Sequence, residues 1–153
     1  MIGPPLLLGA GLTLLTVVCH ILGLVHLGRL LSYLLPKESV GRHSIHRVLF
    51  LSVAVLLMIT LHFLGAGAWA LVFCWVGEFD SFSDALYFSV VTGTTLGYGD
   101  VTMSEAWRVL ALFEAMTGLL LFGASTAAVF QLMVRTLPDP FENQIPAIPN
   151  LKS

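Results

Sequence analysis

Three long apolar runs dominate the chain, and shorter polar stretches separate them. The runs cover residues 4–28, 48–77 and 109–134, and the only charged side chain within them is Glu114. Apolar character also continues past Arg29 to Leu35. A helix needs about 20 apolar residues to cross a hydrocarbon core of roughly 30 Å. Each run is therefore predicted to be a membrane-spanning helix.

The segment between the second and third runs, residues 78–107, is too polar to span and too apolar for an ordinary loop. Ser81 followed by Asp84 is a capping-box pattern, and residues 85–92 then predict about two helical turns. A glycine-rich run follows at once. Non-helical backbone at membrane depth is tolerated only where protein buries it or where it lines a watery path. We predict a re-entrant hairpin, a short helix followed by a returning strand.

Composition agrees with the pattern of apolar runs. The chain is 57% hydrophobic and 10% charged, whereas a soluble domain has about 25% charged residues. The predicted fold class is therefore an all-α membrane protein, with three transmembrane helices and a re-entrant helix and loop between the second and third.

Basic residues predict the orientation in the membrane. Arg29, Lys37, Arg42 and Arg47 flank the first connection, while Arg135 and Lys152 follow the third run. The positive-inside rule makes these segments cytoplasmic, so the N-terminus and the hairpin are expected outside. The outer face then carries the acids Glu78, Asp80, Asp84, Asp100 and Glu105 against Arg108 alone. A net charge of −4 there would enrich cations at the outer mouth.

The run Thr94-Thr95-Leu96-Gly97-Tyr98-Gly99-Asp100 is the main candidate for chemistry. Backbone carbonyl oxygens can replace the hydration shell of K⁺ when a strand aims them the same way. That arrangement requires every second residue to adopt backbone angles that are unfavourable for a residue with a side chain. Glycine has no Cβ and adopts these angles readily. The predicted K⁺ ligands are the carbonyls of Thr95, Leu96, Gly97 and Tyr98, next to Gly99, and the Thr95 hydroxyl can add one more oxygen.

The sequence from Ala85 to Asp100, ALYFSVVTGTTLGYGD, resembles the pore helix and filter of tetrameric potassium channels, especially the small prokaryotic type with two helices around a pore loop. Trp107-Arg108, Gly118 and Phe122-Gly123 are similar to that family's inner helix. The resemblance implies an additional N-terminal helix and connection (1–44), a pore module (45–136) with pore helix 82–94, filter 95–99 and inner helix 105–136, and a short cytoplasmic tail (137–153). Because one strand cannot enclose an ion, it also implies a homotetramer.

Three positions depart from the family pattern. Leu96 stands where valine or isoleucine is commoner, so selectivity or conductance can differ. Val91 replaces a glutamate found in some relatives, and Tyr87 replaces a common tryptophan. We predict that the Tyr87 hydroxyl donates a hydrogen bond to Asp100 and braces the filter.

The third run contains the candidate cavity and gate residues. Phe122, Thr126 and Phe130 share one helical face and are expected to line the cavity and the intracellular gate, although contact with lipid or core would explain the phenylalanines too. Gly118 suits either a hinge or close helix packing.

Glu114 would cost roughly 2.5–3.5 kcal/mol near a helix centre unless it is protonated or paired. A buried hydrogen bond to His62, or to Ser89 or Thr92, is expected, with a direct ion-path role as the alternative.

Other chemistry is weakly supported. His43 and His46 are the only histidines at neighbouring helical spacing, and no further ligand completes a metal set. Cys19 and Cys74 are expected at different depths, as buried free thiols. No nucleophile with a base partner is visible, so we expect no enzyme, no cofactor beyond K⁺ as the permeant ion, and no nucleic-acid partner. No helix carries arginine at every third position, which argues against voltage sensing.

The sequence therefore predicts a homotetrameric, potassium-selective channel for passive conduction, a multi-pass protein of the cell (inner) membrane with its N-terminus outside and its C-terminus in the cytoplasm. Its expected partners are K⁺, the lipid bilayer and three further copies of the chain. The alternatives are a weakly selective monovalent cation channel, and a non-conducting membrane scaffold or metal transporter.

Overall fold

The computed structural model describes residues 3–34 and 44–136, and over these residues the protein is helical, without strands. The helices are α1 (Gly3–Leu34), α2 (Ser44–Trp75), α3 (Phe82–Gly93) and α4 (Arg108–Thr136). The predicted all-α class is confirmed. The predicted tail at 137–153 and the basic connection, including His43, lie outside the described residues.

Three of these helices are long and apolar enough to cross a membrane. The candidate spans are Gly3–Leu31, Ile45–Trp75 and Arg108–Thr136, which agree with the three apolar runs. By contrast, α3 has only 12 residues, a rise of about 18 Å, so it cannot span. The order of three spanning helices with a short helix before the last is the one predicted.

Helix α1 runs parallel to α4. The Phe113 side chain lies over Gly9, the hydroxyls of Thr13 and Thr117 are 2.9 Å apart, and further along His20 Nε2 lies 2.9 Å from Ser125 Oγ. The residue offset stays at 104 to 105 through the two hydrogen-bonded pairs. The two helices therefore remain side by side over much of their length.

Helix α2 runs antiparallel to α1. The rings of His20 and His62 are 4.6 Å apart, and the Leu61 side chain sits over Gly23. Because a Cβ on Gly23 would overlap Leu61, this glycine permits a close approach of the two helices.

One hydrophobic cluster anchors α3 between the other helices. Its buried residues are Leu12, Trp69, Ala70, Phe73, Ala85, Phe88 and Leu110. The rings of Phe73 and Phe88 meet edge to face with centroids 5.5 Å apart, a favoured aromatic geometry. The N-terminal part of α1, the end of α2, α3 and the start of α4 thus lie at the same end of the molecule. At the other end, Leu27, Leu31, Ala54 and Met58 form a second cluster.

The ends of α3 and α4 follow local hydrogen bonding. Ser81 is the N-cap of α3 as predicted, and its hydroxyl accepts from the Ser83 N–H at 3.2 Å. Asp84 lies in the first turn, where the helix dipole favours a negative charge. Helix α4 begins at Arg108 rather than at residue 105, because the amides of Trp107 and Arg108 first turn back to the Ser104 carbonyl.

Candidate functional site

The loop that follows α3 has an alternating backbone. Thr95, Gly97 and Gly99 have φ angles of 60°, 55° and 77°, so every second residue is in a left-handed conformation. Glycine reaches this region without a Cβ penalty, whereas Thr95 is held there despite its side chain. The sequence predicted this alternation at the two glycines and did not predict it at Thr95.

The amide groups at the start of the loop point back to α3. The amides of Leu96 and Gly97 both donate to the Val91 carbonyl, at 3.0 and 3.2 Å, and the Thr95 amide donates to Thr92 at 2.9 Å. Within the described ranges, the carbonyl oxygens of residues 95–99 accept no hydrogen bond. The loop therefore uses its donors to cap the helix and leaves a row of oxygens available to a ligand.

The outer end of this loop is tied to α3 by a side-chain bond. The Tyr87 hydroxyl donates to Asp100 Oδ2 at 2.7 Å, which is the bond that the sequence predicts, and the Val101 amide donates to Oδ1 at 3.0 Å. The bond from Tyr87 lowers the pKa of Asp100 and raises the pKa of Tyr87. The carboxylate is thus the form that this contact favours.

A second hydrogen-bonded contact, on the segments that flank the hairpin, was not predicted from the sequence. Both carboxylate oxygens of Glu78 are bonded to Ser104: Oε2 accepts from the amide at 2.7 Å and Oε1 from the hydroxyl at 2.6 Å. This pair joins the segment after α2 to the segment before α4. Sequence reasoning treated Glu78 only as part of the outer charge, since no local pattern links residues 26 positions apart.

Glu114 is buried behind α3, with 2% of its surface exposed. Its Oε1 is hydrogen bonded to the Ser89 hydroxyl, which also contacts the Ala66 carbonyl at 2.8 Å. A hydroxyl carries one proton and can donate to only one of these oxygens at a time. The second contact therefore needs a proton from the carboxyl group, so a neutral Glu114 satisfies both. Of the partners expected for Glu114, Ser89 is confirmed.

His62 is not the partner of Glu114, and that expectation is wrong. Its Nε2 lies 3.0 Å from Ser125 Oγ, the same hydroxyl that His20 contacts. The His62 ring also stacks on Phe122, with centroids 3.9 Å apart and an interplanar angle of 8°. His62 thus links α1, α2 and α4 instead of neutralising the buried acid.

Gly118 is the point where α4 touches the end of α3. A Cβ built on Gly118 would overlap the backbone carbonyl of Gly93. Helix α4 continues without interruption through this position. The close-packing alternative for Gly118 therefore has a direct structural basis, and a hinge role stays a prediction.

The three candidate cavity residues lie on an accessible face of α4. Phe122 is 39% exposed and Phe130 61%, and the Thr126 hydroxyl donates to the Phe122 carbonyl of its own helix at 2.8 Å. The three residues share one face, as predicted. In the single chain this face is uncovered, which fits a pore lining, a contact with a neighbouring copy and contact with lipid equally. Their assignment to the cavity and gate stays a prediction.

Within the described part of the chain, no group of three or more His, Cys, Asp or Glu residues could hold a metal ion. Cys19 and Cys74 are both free, but Cys19 is exposed and Cys74 is half-buried, so the prediction that both thiols are buried is wrong for the single chain.

The fold and the loop together define a membrane protein with a re-entrant pore segment. A family model described as an ion channel matches residues 57–135, more than half of the chain. The chain belongs to this ion-channel family, a class of transport proteins rather than enzymes. Comparison with curated proteins and with solved structures found no match. The family match begins within α2, so α1 lies outside it.

Proposed function

We propose that this protein is a potassium-selective channel that conducts K⁺ passively through a pore formed by four copies of the chain. The observation that carries the proposal is the alternating backbone of residues 95–99, with left-handed φ at Thr95, Gly97 and Gly99 and carbonyl oxygens that accept no hydrogen bond in the described part of the chain. Such oxygens can take the place of the water around a K⁺ ion. The resemblance of residues 85–100 to potassium-channel filters supports the choice of ion.

The geometry of one loop supports assembly from several copies, and the resemblance to tetrameric potassium channels supports the number four. A single strand can coordinate an ion from one side only, so further copies must supply the remaining oxygens. The loop side chains are open in the single chain, with Leu96 55% and Tyr98 66% exposed. In a tetramer these apolar and aromatic side chains would pack behind the filter.

Electrostatics also favours a cation path. The carbonyl end of α3, at Gly93, carries the partial negative charge of a helix C-terminus. On the outer side, the acids around the loop would raise the local cation concentration. Because the start of α1 lies at the same end as α3, the positive-inside rule supports an external N-terminus and pore loop in the cell (inner) membrane, with a cytoplasmic C-terminus.

The test is a K⁺-gradient flux assay on protein reconstituted in liposomes. We expect K⁺ flux that barium blocks and that a sodium gradient does not reproduce, from protein with the mass of a tetramer. Equal fluxes of sodium and potassium would favour a weakly selective cation channel. A monomer without any flux would favour a scaffold or metal transporter.

Two glycine substitutions separate the filter from general backbone strain. Gly97 and Gly77 both have positive φ, 55° and 80°, and a Cβ at either position meets nothing within 4 Å. Alanine should therefore cost about 1–2 kcal/mol of strain at each position. Gly97→Ala is expected to abolish selective K⁺ flux, whereas Gly77→Ala, in the turn after α2, should retain it. Equal flux from both variants would contradict the proposed filter.

A further inference from the structure

A groove with a volume of about 170 Å³ lies between α1 and α4, at the end of the molecule opposite the pore loop. The offset of 104 residues that relates the two helices also relates Leu24 to Ala128 and Leu31 to Arg135, all of which line the groove. The groove therefore continues the line of contact between α1 and α4. Because α1 supplies one wall, the groove lies partly outside the family match.

Most of the groove is apolar. Leu27 and Leu31 of α1 and Met58 of α2 line it, and they belong to the second hydrophobic cluster. Gly28 also lines the groove, and a Cβ at this position would meet no atom within 4 Å, so there is open space beside α1. From Leu24 to Leu31 the helix rises about 10 Å. The groove thus offers an apolar path of a length that suits part of a fatty acyl chain.

One end of the groove is polar. Gln131 and Arg135 are four residues apart, so they are neighbours on one face of α4. In the described part of the chain, neither side chain makes a hydrogen bond or an ion pair. Arg135 is the last residue but one of α4, so it lies at the level where a membrane span meets the lipid headgroups. The polar end of the groove therefore offers N–H donors at that level.

The charge on this side of the chain is complementary to an anionic membrane surface. The segments 29–47 and 135–152 contain six basic and three acidic residues. Basic residues at an anionic leaflet attract its lipids, and basic pockets between membrane-spanning helices bind lipid headgroups. A second copy of the chain would bring the same excess of positive charge. Charge therefore favours a lipid over another copy as the occupant of the groove.

We propose that the groove binds an anionic phospholipid of the leaflet on this side of the membrane. The Arg135 guanidinium holds the phosphate through two parallel hydrogen bonds, and the Gln131 amide group donates a further one. One acyl chain lies along Leu27 and Gly28. Since α1 forms one wall, the proposal also assigns the additional helix a role in lipid binding. It concerns binding alone and does not depend on which ion, if any, the pore conducts.

Thermal unfolding of the full-length protein in a neutral detergent tests the lipid. A ligand that binds the folded state raises the melting temperature as its concentration rises. The probes are palmitoyl-oleoyl phosphatidylglycerol and palmitoyl-oleoyl phosphatidylcholine, which differ in headgroup charge. We expect a saturable rise with phosphatidylglycerol and roughly fivefold weaker binding of phosphatidylcholine, the effect of one basic residue at an anionic surface. Equal binding of the two lipids would overturn the proposal.

A soluble phosphate tests the part of the acyl chain. Glycerol 3-phosphate carries the anionic group without any chain, so it is expected to give no saturable shift at the same concentrations. A shift equal to that of phosphatidylglycerol would identify a site for free phosphates and would overturn the assignment to a lipid.

Matched charge variants on α4 test the headgroup contact. Arg135→Gln removes the proposed phosphate partner, whereas Arg108→Gln removes the same charge at the other end of the helix, where Arg108 pairs with Glu105 at 3.7 Å. We expect Arg135→Gln to weaken phosphatidylglycerol binding roughly fivefold and Arg108→Gln to leave it unchanged. An equal loss in both variants would show a general effect of net charge and would overturn the assigned contact.

Matched glycine variants on α1 test the location. A Cβ on Gly28 or on Gly11 meets nothing within 4 Å, but Gly28 lines the groove and Gly11 does not. Gly28→Phe is expected to abolish the saturable effect of phosphatidylglycerol, and Gly11→Phe is expected to keep it. Should Gly28→Phe fail to fold, Gly28→Leu places a smaller side chain there and should weaken binding. Undiminished binding in the Gly28 variants would overturn the location, and a smaller assembly without any loss of lipid binding would identify a contact between copies instead.

Discussion

Thr95 adopts the backbone conformation that its neighbours reach through glycine. Its φ of 60° matches those of Gly97 and Gly99, although a side chain makes the left-handed region unfavourable by about 1–2 kcal/mol. The amide of Thr95 is fixed to the Thr92 carbonyl, and the next two amides share the Val91 carbonyl. The end of the pore helix thus holds the loop residue in a conformation that local preference alone opposes.

The Tyr87–Asp100 bond is expected to brace the filter. Tyr87→Phe removes the donor and frees the outer end of the loop, so inactivation should become faster and K⁺ occupancy of the filter should fall. Single-channel recording and K⁺ titration measure the two effects. Tyr33→Phe is the matched control, because Tyr33 is 86% exposed on α1.

The same bond predicts a pH dependence. The contact lowers the pKa of Asp100 from its usual 3.8. The stabilisation that the bond gives is therefore fully present above pH 3.8 and is lost as the external pH falls through the lowered pKa. The raised pKa of Tyr87 preserves the donor beyond pH 10. Strong external acid should therefore speed inactivation in the unsubstituted channel and change Tyr87→Phe little. If Tyr87→Phe inactivated at the same rate as the unsubstituted channel at neutral pH, the bracing role would be refuted.

At the scale of elements, the contact between α4 and the end of α3 couples α4 to the loop of residues 95–99. Gly118 lies against the Gly93 carbonyl, two residues before Thr95, where the left-handed alternation begins. A shift of α4 at this level must therefore move the last turn of the pore helix.

Gly118→Ala tests that contact. The added methyl group meets backbone rather than a flexible side chain, so α3 or α4 must move, and we expect loss of K⁺ selectivity together with a lower melting temperature. Gly123→Ala on the same helix meets nothing within 4 Å and should leave both unchanged. Flux and thermal unfolding in detergent are the measurements. A Gly118→Ala variant that conducts and melts like the unsubstituted chain would contradict tight packing here.

The elements were largely predictable from sequence, but their contacts were not. Apolar runs longer than 20 residues indicate spans regardless of their neighbours, and Ser81 identifies the start of α3 by local capping alone. Periodicity does not specify how helices pack against one another. It therefore predicts neither the bond between Glu78 and Ser104 nor the preference of Glu114 for Ser89. The bond between Tyr87 and Asp100 is an exception, because the resemblance of residues 85–100 to potassium-channel filters identified both positions before the structure.

At the scale of the whole molecule, one hydroxyl connects the three spanning helices. Ser125 on α4 contacts His20 on α1 and His62 on α2. Both rings lie next to each other, so the three side chains form a polar link inside an otherwise apolar bundle.

Ser125→Ala should weaken this bundle. Two interhelical hydrogen bonds are lost, and at an average of roughly 0.6 kcal/mol each in membranes the expected destabilisation is about 1 kcal/mol. Thr60→Ala is the control, because the Thr60 hydroxyl donates to the Leu56 carbonyl of its own helix. Reversible unfolding in mixed micelles gives the comparison. Equal stability of the two variants would show that the link contributes nothing measurable.

The parallel course of α1 along α4 has a mechanical consequence. Since α1 stays beside α4 from the Thr13–Thr117 pair to the His20–Ser125 pair, an outward swing of the inner helix would either carry α1 with it or break these contacts. Each helix is about 10 Å wide with its side chains. If α1 moves with α4, an outward movement of α4 displaces the lipid around two helices instead of one. The energy needed to widen the pore would then depend on membrane thickness and lateral tension.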